Sequence, residues 1–427
     1  MSNRKYHLET LALHAGQEKP DSATQSRAVP VYRTTAFNFR DSKHAADLFG
    51  LRKSGNIYAR LMNPTNDVLE KRLAALEGGA AALTLSSGTA AIYFAITNLA
   101  KAGDEIVSAN NLYGGTFTQF DAILPQGGIT VRFTPVNDFA AVEAAINEKT
   151  RAVYIETVGN PALEVADIET YAKVAHKHRL PLIVDATFTP PTLLRPIEYG
   201  ADIVIHSLSK WIGGHGTGIG GVVIDAGKFD WTDPKFALYN EPDRGYHGLR
   251  FAHDLGELNS LAFILRLRTV GLRNQGPTLA PDAAWIFLQG VESLPLRMAK
   301  HSENALKVAQ FLSKHPKVAW VRYPGLPGDA LAEKYLPDGA GGMVVFGVKG
   351  GSAEAVKLVD NIELFSLLAN VGDAKSLIIH PASTTHSQLS DEDQRKGGLQ
   401  PELIRLSIGL EHIDDIIGAL EDALALI

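Results

Sequence analysis

An aspartate and a lysine follow two short apolar runs that are typical of buried strands. Asp185 comes directly after the run 182–184, and Lys210 follows the run 203–205 by a few residues. In open α/β sheets, ligands bind outside the carboxyl ends of the strands. A lysine at that edge can form a Schiff base once its ammonium loses a proton, and an aspartate can keep a ring nitrogen protonated. Either residue alone is more often a solvated amine or a strand-end cap, but the pair indicates an active site.

Small hydroxyl residues at two places in the sequence predict an anion site. Ser87, Gly88 and Thr89 lie between a short strand-like run and an Ala-rich helical pattern, so the backbone N–H groups of a helix N-terminus would be free to bind a phosphate. Ser207 and Ser209, beside Lys210, could complete the site. An ordinary serine N-cap would give the same local pattern at Ser87.

Two further residues could bind a substrate or an aromatic ring. Tyr113 follows a strand-like run within a glycine-containing loop, so it could stack on a ring and transfer a proton, or simply be a surface aromatic. Arg405 is an isolated charge in the apolar run 403–407. A buried arginine is costly unless it meets an anion. Arg405 could therefore bind a carboxylate with two hydrogen bonds, or form a core salt bridge with Glu402 or Glu411.

One glycine motif and several histidines do not indicate a site. The segment 216–221 matches the dinucleotide fingerprint G-x-G-x-x-G, but it leads into the strand-like run 222–224, whereas the fingerprint should follow a strand and open a helix. We expect its glycines to let the backbone fold tightly around Lys210. The histidines are scattered without metal-ligand spacing, so no metal is expected and each is read as a packing or hydrogen-bonding residue. The 14 histidines include His14, His206, His215, His380 and His386.

Composition limits the classes of partner. The chain has 427 residues, with 41 Lys and Arg against 47 Asp and Glu, a formal net charge of −6, and no cysteine. Nucleic-acid binding needs concentrated Lys and Arg, so such a partner is not expected. The absence of cysteine excludes disulfides and thiolate–metal sites. No apolar stretch resembles a signal peptide or is long enough to span a bilayer, so we expect a cytoplasmic protein with no membrane partner.

The elements that must position these residues alternate along the chain. Strand-like runs at 105–107, 152–155, 182–184, 203–205 and 222–224 leave room for helices such as 138–148 and 167–179. This alternation predicts βαβ units and a mostly parallel sheet. We expect an extended N-terminal arm over 1–60, a large domain over 61–290 with an insertion near 228–260, and a smaller C-terminal α/β domain over 291–427. A long helical pattern runs from about 278 to 313.

Six motifs carry a resemblance to one enzyme family. They are Tyr58-Ala59-Arg60 before Asn63-Pro64-Thr65, Ser87-Gly88-Thr89-Ala90-Ala91, Tyr113-Gly114-Gly115, Glu156-Thr157-Val158-Gly159-Asn160-Pro161, Asp185-Ala186-Thr187 and His206-Ser207-Leu208-Ser209-Lys210. As a set, the motifs resemble the Cys/Met-metabolism family of pyridoxal-phosphate (PLP) enzymes over essentially the whole chain. The resemblance implies the α/β PLP-dependent transferase fold (aspartate-aminotransferase-like, fold type I). That fold has a large domain with a mostly parallel seven-stranded sheet and a smaller α/β domain.

The resemblance also implies roles for individual residues. Lys210 would form the Schiff base with PLP and later move protons, Asp185 would pair with the pyridine nitrogen, and Tyr113 would stack on the ring. The other cofactor contacts implied are Ser87, Gly88, Thr89, Asn160, Thr187, Ser207 and Ser209, with Tyr58 and Arg60 reaching in from a neighbouring subunit. Arg405 would bind the substrate α-carboxylate, with Asn370 and Tyr58 as further substrate contacts. A shared site of this kind implies a homodimer, and the family usually forms tetramers.

The segment from Asn370 to Pro381 resembles the O-acetylhomoserine sulfhydrylase branch of the family, and the insertion near 228–260 also suits that branch. We therefore expect a transferase that carries out γ-replacement on O-acetyl-L-homoserine, with sulfide displacing acetate to give L-homocysteine for methionine biosynthesis. The alternatives within the family are cystathionine γ-synthase, cystathionine or methionine γ-lyase, and O-succinylhomoserine sulfhydrylase. A phosphate-binding oxidoreductase and a non-catalytic structural oligomer are the alternatives from other classes.

Overall fold

A computed structural model describes residues 5–385 and 399–427 of the chain. Its larger sheet has seven strands in the order β1-β7-β6-β5-β4-β2-β3. The strands are β1 Ala81–Leu85, β2 Glu105–Ala109, β3 Thr130–Thr134, β4 Thr150–Glu156, β5 Leu182–Asp185, β6 Ile203–Ser207 and β7 Gly221–Asp225. Only β7 runs against its neighbours β1 and β6. The predicted mostly parallel seven-stranded sheet is therefore confirmed.

The three central strands place their last residues at one edge of this sheet. The strands β4, β5 and β6 are parallel and in register, and they end at Glu156, Asp185 and Ser207. Residues 182–185 are buried throughout. Parallel strands covered on both faces have nearly continuous apolar sequences, which is why the run 182–184 shows no alternation of polar and apolar residues. The polar residues that could carry out chemistry therefore stand at the ends of the strands.

A second sheet has five strands in the order β10-β11-β12-β9-β8. They are β8 Val318–Arg322, β9 Met343–Val348, β10 Ser366–Leu367, β11 Leu377–Ile379 and β12 Leu403–Ser407. Strands β9 and β11 contain the apolar runs 343–346 and 377–379. Strand β12 lies between β9 and β11 and pairs antiparallel with both, so Arg405 stands in the middle of this sheet.

Helices surround both sheets. They are α1 Leu8–His14, α2 Ser42–Phe49, α3 Pro64–Glu77, α4 Gly88–Thr97, α5 Gly114–Thr118, α6 Leu124–Gln126, α7 Phe139–Ala145, α8 Ile168–Lys177, α9 Ala237–Asn240, α10 Ala262–Arg266, α11 Arg273–Gln275, α12 Pro281–Glu292, α13 Leu294–Leu312, α14 Ala330–Tyr335, α15 Ser352–Asn361 and a closing helix Ile413–Ala425. Short 3₁₀ segments lie at Pro196–Tyr199, Gly256–Leu261 and Pro381–Ser383, and π-helical segments at Gln119–Ile123 and Leu267–Leu272.

Local sequence explains the ends of α3. Asn63 caps the helix by accepting a hydrogen bond from the backbone N–H of Thr65, and Pro64 occupies the first position, where a missing N–H costs nothing. Gly78 ends the helix in the left-handed conformation, at φ 77°. Glycine adopts that conformation without the steric penalty of a side chain. Gly78 thus supplies the stop at the end of α3.

Four predictions of secondary structure differ from the structure. The pattern at 278–313 forms two helices, α12 and α13, separated at Ser293. Pro295 explains the break, because a proline has no backbone N–H and its ring clashes with the carbonyl four residues earlier. The helices expected at 138–148 and 167–179 are shorter, at Phe139–Ala145 and Ile168–Lys177. Residues 1–60, expected to be extended, contain the helices α1 and α2. The division into an arm and two domains stays a prediction.

The segment 228–260 packs on the larger sheet through a buried aromatic cluster. The rings of Trp231 and Tyr239 stack at a centroid distance of 4.5 Å, and Trp231 also stacks on Phe263 of α10 at 5.3 Å. Both residues of the first pair are almost fully buried. Aromatic pairs of this kind contribute on the order of 1 kcal/mol beyond the area they bury. The segment is thus part of the hydrophobic core on that face of the sheet.

Candidate active site

A cavity of about 830 Å³ lies at the carboxyl ends of β4, β5 and β6. It is the place where the sheet rule predicts a ligand site. The residues predicted from the sequence that line it are Ser87, Gly88, Thr89, Tyr113, Asn160, Asp185, Thr187, Ser207, Ser209, Lys210, Asn370 and Arg405. The structure therefore brings twelve of the predicted site residues together, from both sheets and from the loops between them.

Lys210 lies in the loop after β6, with its amine inside the cavity. Its Nζ donates a hydrogen bond of 2.6 Å to Oδ1 of Asn370. Burial, and to a smaller extent the positive charge of Arg405, lowers the pKa of Lys210 to about 8. A lysine with such a pKa has a substantial neutral fraction near neutral pH, as a nucleophilic amine requires.

A buried arginine holds the loop that follows Lys210. Arg297, on α13, donates to the carbonyl oxygens of Trp211 at 2.7 Å, Ile212 at 3.1 Å and Gly290 at 2.7 Å. Gly214 has a φ of +72°, and a Cβ there would lie 2.1 Å from Nη1 of Arg297. Glycine at that position is therefore required both by the backbone conformation and by the approach of the guanidinium. These contacts fix the backbone on which Lys210 stands.

Asp185 is the buried anion at the end of β5. Its Oδ1 accepts a hydrogen bond of 2.8 Å from the backbone N–H of Thr187, and only 8% of the residue is exposed. Burial raises the pKa of Asp185, and the hydrogen bonds from Thr187 oppose this rise. A cationic ring nitrogen beside a buried carboxylate would be stabilised in its protonated form. This is the role expected from the sequence.

The residues predicted to bind an anion lie together around the N-terminus of α4. The Oγ of Ser87 accepts a hydrogen bond from the backbone N–H of Ala90 at 3.0 Å, so Ser87 is also the N-cap of α4. A Cβ on Gly88 would lie 2.6 Å from the Cβ of Ser207. The Oγ1 of Thr187 accepts from the backbone N–H of Ser207 at 2.9 Å. Glycine thus lets the helix N-terminus approach the end of β6, and hydroxyl groups surround the space that remains.

The glycine segment 216–221 folds as expected. It runs directly into β7, which starts at Gly221, and no helix follows it. The carbonyl of Gly220 accepts from the backbone N–H of Leu208 at 2.9 Å, and its N–H donates to the Oγ of Ser209 at 3.0 Å. The segment therefore wraps the chain around Lys210. Rejection of a dinucleotide fingerprint is confirmed.

Arg405 faces the cavity from the smaller sheet. It is nearly buried, and its Nη1 donates a hydrogen bond of 3.2 Å to Oδ1 of Asn160. The two carboxylates considered as core partners are engaged elsewhere: Glu402 accepts from Nε1 of Trp320, and Glu411 accepts from Ser376. Burial lowers the pKa of Arg405 to about 10, so the guanidinium stays charged at neutral pH. The cationic side chain is thus available to a carboxylate in the cavity.

Tyr113 stands at the mouth of the cavity, with 47% of the residue exposed. Its backbone N–H donates a hydrogen bond of 2.8 Å to Oε1 of Glu156. A Cβ on Gly115 would lie 2.5 Å from the tyrosine ring, so glycine there allows the ring to fold back over the start of α5. The position suits a ring that stacks on a bound aromatic group.

Tyr58 and Arg60 are the two predicted site residues that this chain does not bring into its own cavity. Both are exposed, and the Arg60 guanidinium lies 5.1 Å from the centroid of the Tyr58 ring. The cavity lining includes neither residue. Their contact with a neighbouring subunit's site stays a prediction.

Three of these histidines make hydrogen bonds to other groups of the protein. His206 contacts Glu77 at 3.0 Å, His215 contacts the carbonyl of Gly213 at 2.7 Å, and His380 contacts the carbonyl of Pro401 at 2.7 Å. His386 lies outside the described residues. Within residues 5–385 and 399–427, no cluster of three acidic or histidine side chains could hold a metal ion, and no helix is long and apolar enough to cross a membrane.

Glu156 lines the cavity but was not among the predicted site residues, although it begins one of the six motifs. Glu156 ends β4 at the same edge where Asp185 ends β5, so the strand-end rule that identified Asp185 also applies to it. Other lining residues, Gln119, Ile123, Phe188 and Ile219, come from loops and helices. No spacing in the sequence marks those four residues.

Known proteins similar to this chain point to one family. The family described as "Cys/Met metabolism PLP-dependent enzyme" matches residues 9–425. The chain is 54% identical over 430 residues to the O-acetyl-L-homoserine sulfhydrylase of Leptospira meyeri, covering 99% of this chain and 97% of that protein. It is 53% identical over 424 residues to the homocysteine synthase of Schizosaccharomyces pombe, covering 98% of each.

A solved structure agrees in fold over nearly the whole chain. It is a protein of Campylobacter jejuni assigned as an O-acetylhomoserine (thiol)-lyase, which carries an N'-pyridoxyl-lysine-5'-monophosphate. The two structures superpose with a TM-score of 0.94 at 43% sequence identity, covering 98% of this chain and all of the other. The α/β fold expected from the sequence is thereby confirmed. With a family match over residues 9–425 and relatives that are more than half identical, the chain belongs to the Cys/Met-metabolism family of PLP-dependent enzymes.

Proposed function

We propose that this enzyme converts O-acetyl-L-homoserine and sulfide to L-homocysteine and acetate, a γ-replacement that serves methionine biosynthesis. One observation carries the proposal. A single cavity holds a lysine with a pKa of about 8, a buried aspartate and a buried arginine, together with the helix N-terminus and hydroxyl groups predicted to bind an anion. The names of the relatives, O-acetyl-L-homoserine sulfhydrylase and homocysteine synthase, supply the substrate and the product.

The cavity has a partner for each polar part of PLP. The N-terminus of α4 and the hydroxyls of Ser207 and Ser209 would hold the phosphate, because oriented N–H groups and hydroxyls favour an anion. Room for that anion depends on Gly88, where any Cβ would meet Ser207. The buried carboxyl of Asp185 would face the ring nitrogen, and Lys210 would bind the aldehyde carbon covalently. The residues present therefore fit the cofactor.

The substrate would be bound by its charged ends. The guanidinium of Arg405 can hold the α-carboxylate with two parallel hydrogen bonds, and its contact with Asn160 at 3.2 Å fixes its direction. The substrate amine takes the place of the Lys210 amine, which leaves Nζ free in the cavity. Asn370, whose Oδ1 lies 2.6 Å from Nζ, would keep the released amine directed toward the substrate.

The lysine then moves the protons that the reaction requires. Its Nζ removes the Cα proton, which needs an amine that is neutral near the working pH. PLP, when bound, supplies an electron sink for the pair released from Cα. Removal of a second proton, from Cβ, would form a Cβ–Cγ double bond as the Cγ–O bond breaks and acetate leaves, and sulfide would then add to Cγ. Lys210 and Tyr113 are the groups positioned to return the protons to Cβ and Cα.

We also propose a homo-oligomer in which Tyr58 and Arg60 complete the site of a neighbouring subunit. Both side chains are exposed and lie outside the cavity of their own chain, so a second copy could receive them. A tetramer built from such dimers is the assembly that the sequence resemblance implies. Location in the cytoplasm stays an expectation from the sequence.

Purified enzyme loaded with PLP tests the proposal directly. Homocysteine formation is measured with sulfide and either O-acetyl-L-homoserine or O-succinyl-L-homoserine, and the variant Lys210→Ala serves as the control that must lose turnover. A clear preference for the acetyl ester supports the proposed reaction. An enzyme that binds PLP but uses neither ester would refute it and favour a cystathionine synthase or a γ-lyase. Turnover by Lys210→Ala would refute the role of the lysine.

A further inference from the structure

The cavity holds a second buried carboxyl that the proposed reaction does not use. Glu156 ends β4 and pairs in register with Asp185, the last residue of the parallel strand β5. Residues paired in this way on adjacent strands point to the same face of the sheet and stand about 4.8 Å apart. Both residues line the cavity and both are less than a tenth exposed. Two carboxyls thus lie side by side in a place largely closed to water.

Such a pair does not hold two negative charges, because burial and mutual repulsion both disfavour the second ionisation. The ionisable groups around Glu156 are Asp185 from β5 and the Tyr154 phenol on its own strand. Burial and the charge of Asp185 raise the pKa of Glu156 well above its usual range. The hydrogen bonds from Thr187 and the electrostatic effect of His206 oppose the rise in the pKa of Asp185, so Asp185 is favoured as the anion. The one proton that the pair retains therefore belongs on Glu156.

The other partner of Glu156 is the loop that carries Tyr113. Oε1 of Glu156 accepts the backbone N–H of Tyr113 at 2.8 Å. The half-exposed ring of Tyr113 stands at the cavity mouth. The backbone carbonyl of Tyr113 accepts a hydrogen bond of 2.9 Å from the N–H of Phe117 in α5, so this second bond does not connect the loop to the sheet. Glu156 thus ties Tyr113 directly to the sheet edge that holds Asp185.

We propose that Glu156 is a positioning residue: as a neutral carboxyl it fixes Tyr113 over the cavity and leaves Asp185 as the single anion of the pair. A neutral side chain is sufficient for this role, provided that it keeps an acceptor at the position of Oε1. The inference rests on the proposed function only where turnover is the readout.

The test compares Glu156→Gln with Glu156→Leu in the full-length enzyme loaded with PLP. Glutamine keeps the shape and the acceptor without a charge, so its kcat, KM and cofactor circular dichroism should stay within about twofold of the parent. Leucine removes the acceptor and should lower kcat on the order of 10²-fold, with a smaller change in KM. Asp185→Asn is the matched control, and the same change to an amide there should weaken PLP binding strongly.

A double-mutant cycle with Tyr113→Ala separates positioning from general damage. If Glu156 acts through Tyr113, Glu156→Leu should cost little further activity once the tyrosine side chain is gone. Equal losses in both backgrounds would overturn the proposal, and so would a Glu156→Gln variant as impaired as Glu156→Leu. If Glu156→Leu does not fold, Glu156→Met replaces it. If the parent makes no homocysteine, the proposed function fails, while the PLP affinity and dichroism of Glu156→Gln and Asp185→Asn still test the assignment of the two carboxyls.

Discussion

Nζ of Lys210 donates a hydrogen bond of 2.6 Å to Oδ1 of Asn370, a residue 160 positions later in the chain. The bond joins the loop after β6 of the larger sheet to the segment between β10 and β11 of the smaller sheet. An amide oxygen orients the amine without adding a negative charge, so burial still lowers the pKa of Lys210 to about 8. The smaller sheet thus takes part in setting the reactivity of the lysine.

The rate at which PLP-free enzyme binds PLP covalently should depend on pH. Only the neutral amine attacks the aldehyde, and its fraction rises as the pH passes upward through the pKa. The uptake rate, followed by visible absorbance, should therefore rise with a midpoint near pH 8 and level off above it. Asn370→Asp should move the midpoint upward by on the order of one unit, since a carboxylate stabilises the ammonium. Asn370→Ser, which adds no charge, is the control. A midpoint near the ordinary lysine value of 10.5 in the parent would contradict this account.

Arg405→Ala should mainly weaken substrate binding. The loss of a charged, two-point contact with the α-carboxylate is expected to raise KM by on the order of 10²-fold. The KM of Arg405→Lys should lie between the KM of the parent and that of Arg405→Ala, because a lysine keeps the charge but not the planar fork. Arg322→Ala, at an exposed arginine on the edge strand β8, is the control and should leave KM unchanged. An unchanged KM in Arg405→Ala would show that the substrate carboxylate binds elsewhere.

Gly88→Ala should weaken PLP binding. The added methyl group would lie 2.6 Å from the Cβ of Ser207, so the start of α4 or the end of β6 must shift. Overpacking of this kind costs about 1–3 kcal/mol, which corresponds to a loss of PLP affinity of roughly 5- to 150-fold in a titration. Gly418→Ala in the closing helix has no atom within 4 Å of the new methyl. That control should leave PLP affinity unchanged and raise Tm slightly, since alanine favours helix. Equal PLP affinity in Gly88→Ala and the parent would argue against phosphate binding at the N-terminus of α4.

Arg297→Met should destabilise the protein and loosen the loop after Lys210. The change leaves the carbonyls of Trp211, Ile212 and Gly290 without their donor in the interior. Unsatisfied buried groups cost on the order of 1–3 kcal/mol each, so Tm in a thermal unfolding experiment should fall clearly. Arg250→Met, at a partly exposed ion pair with Asp254, should change Tm little. Equal Tm values for the two variants would mean that the three hydrogen bonds of Arg297 to these carbonyl groups add nothing to stability.

The sequence by itself determined the central buried strands of the larger sheet and the chemistry at their ends. The run 182–184 and the run 203–205 identify buried parallel strands, and the polar residues after them must meet at one edge of the sheet, because parallel strands share their carboxyl ends. For the same reason Asp185 and Lys210 could be paired from sequence. Local signals of short range, such as Asn63 and Gly78 around α3, were equally readable, since caps depend only on adjacent residues.

Only the tertiary structure decided which distant residues touch. Asn370 meets Lys210, Arg405 meets Asn160, and Glu156 stands beside Asp185 because the strand order and the packing of the smaller sheet bring them together. Trp320 donates a hydrogen bond to Glu402, and Arg297 donates hydrogen bonds to the loop after Lys210. Neither contact could be predicted from the spacing or the periodicity of the sequence. Periodicity reports which face of an element is buried, whereas side-chain partners depend on the positions of elements far apart in the chain.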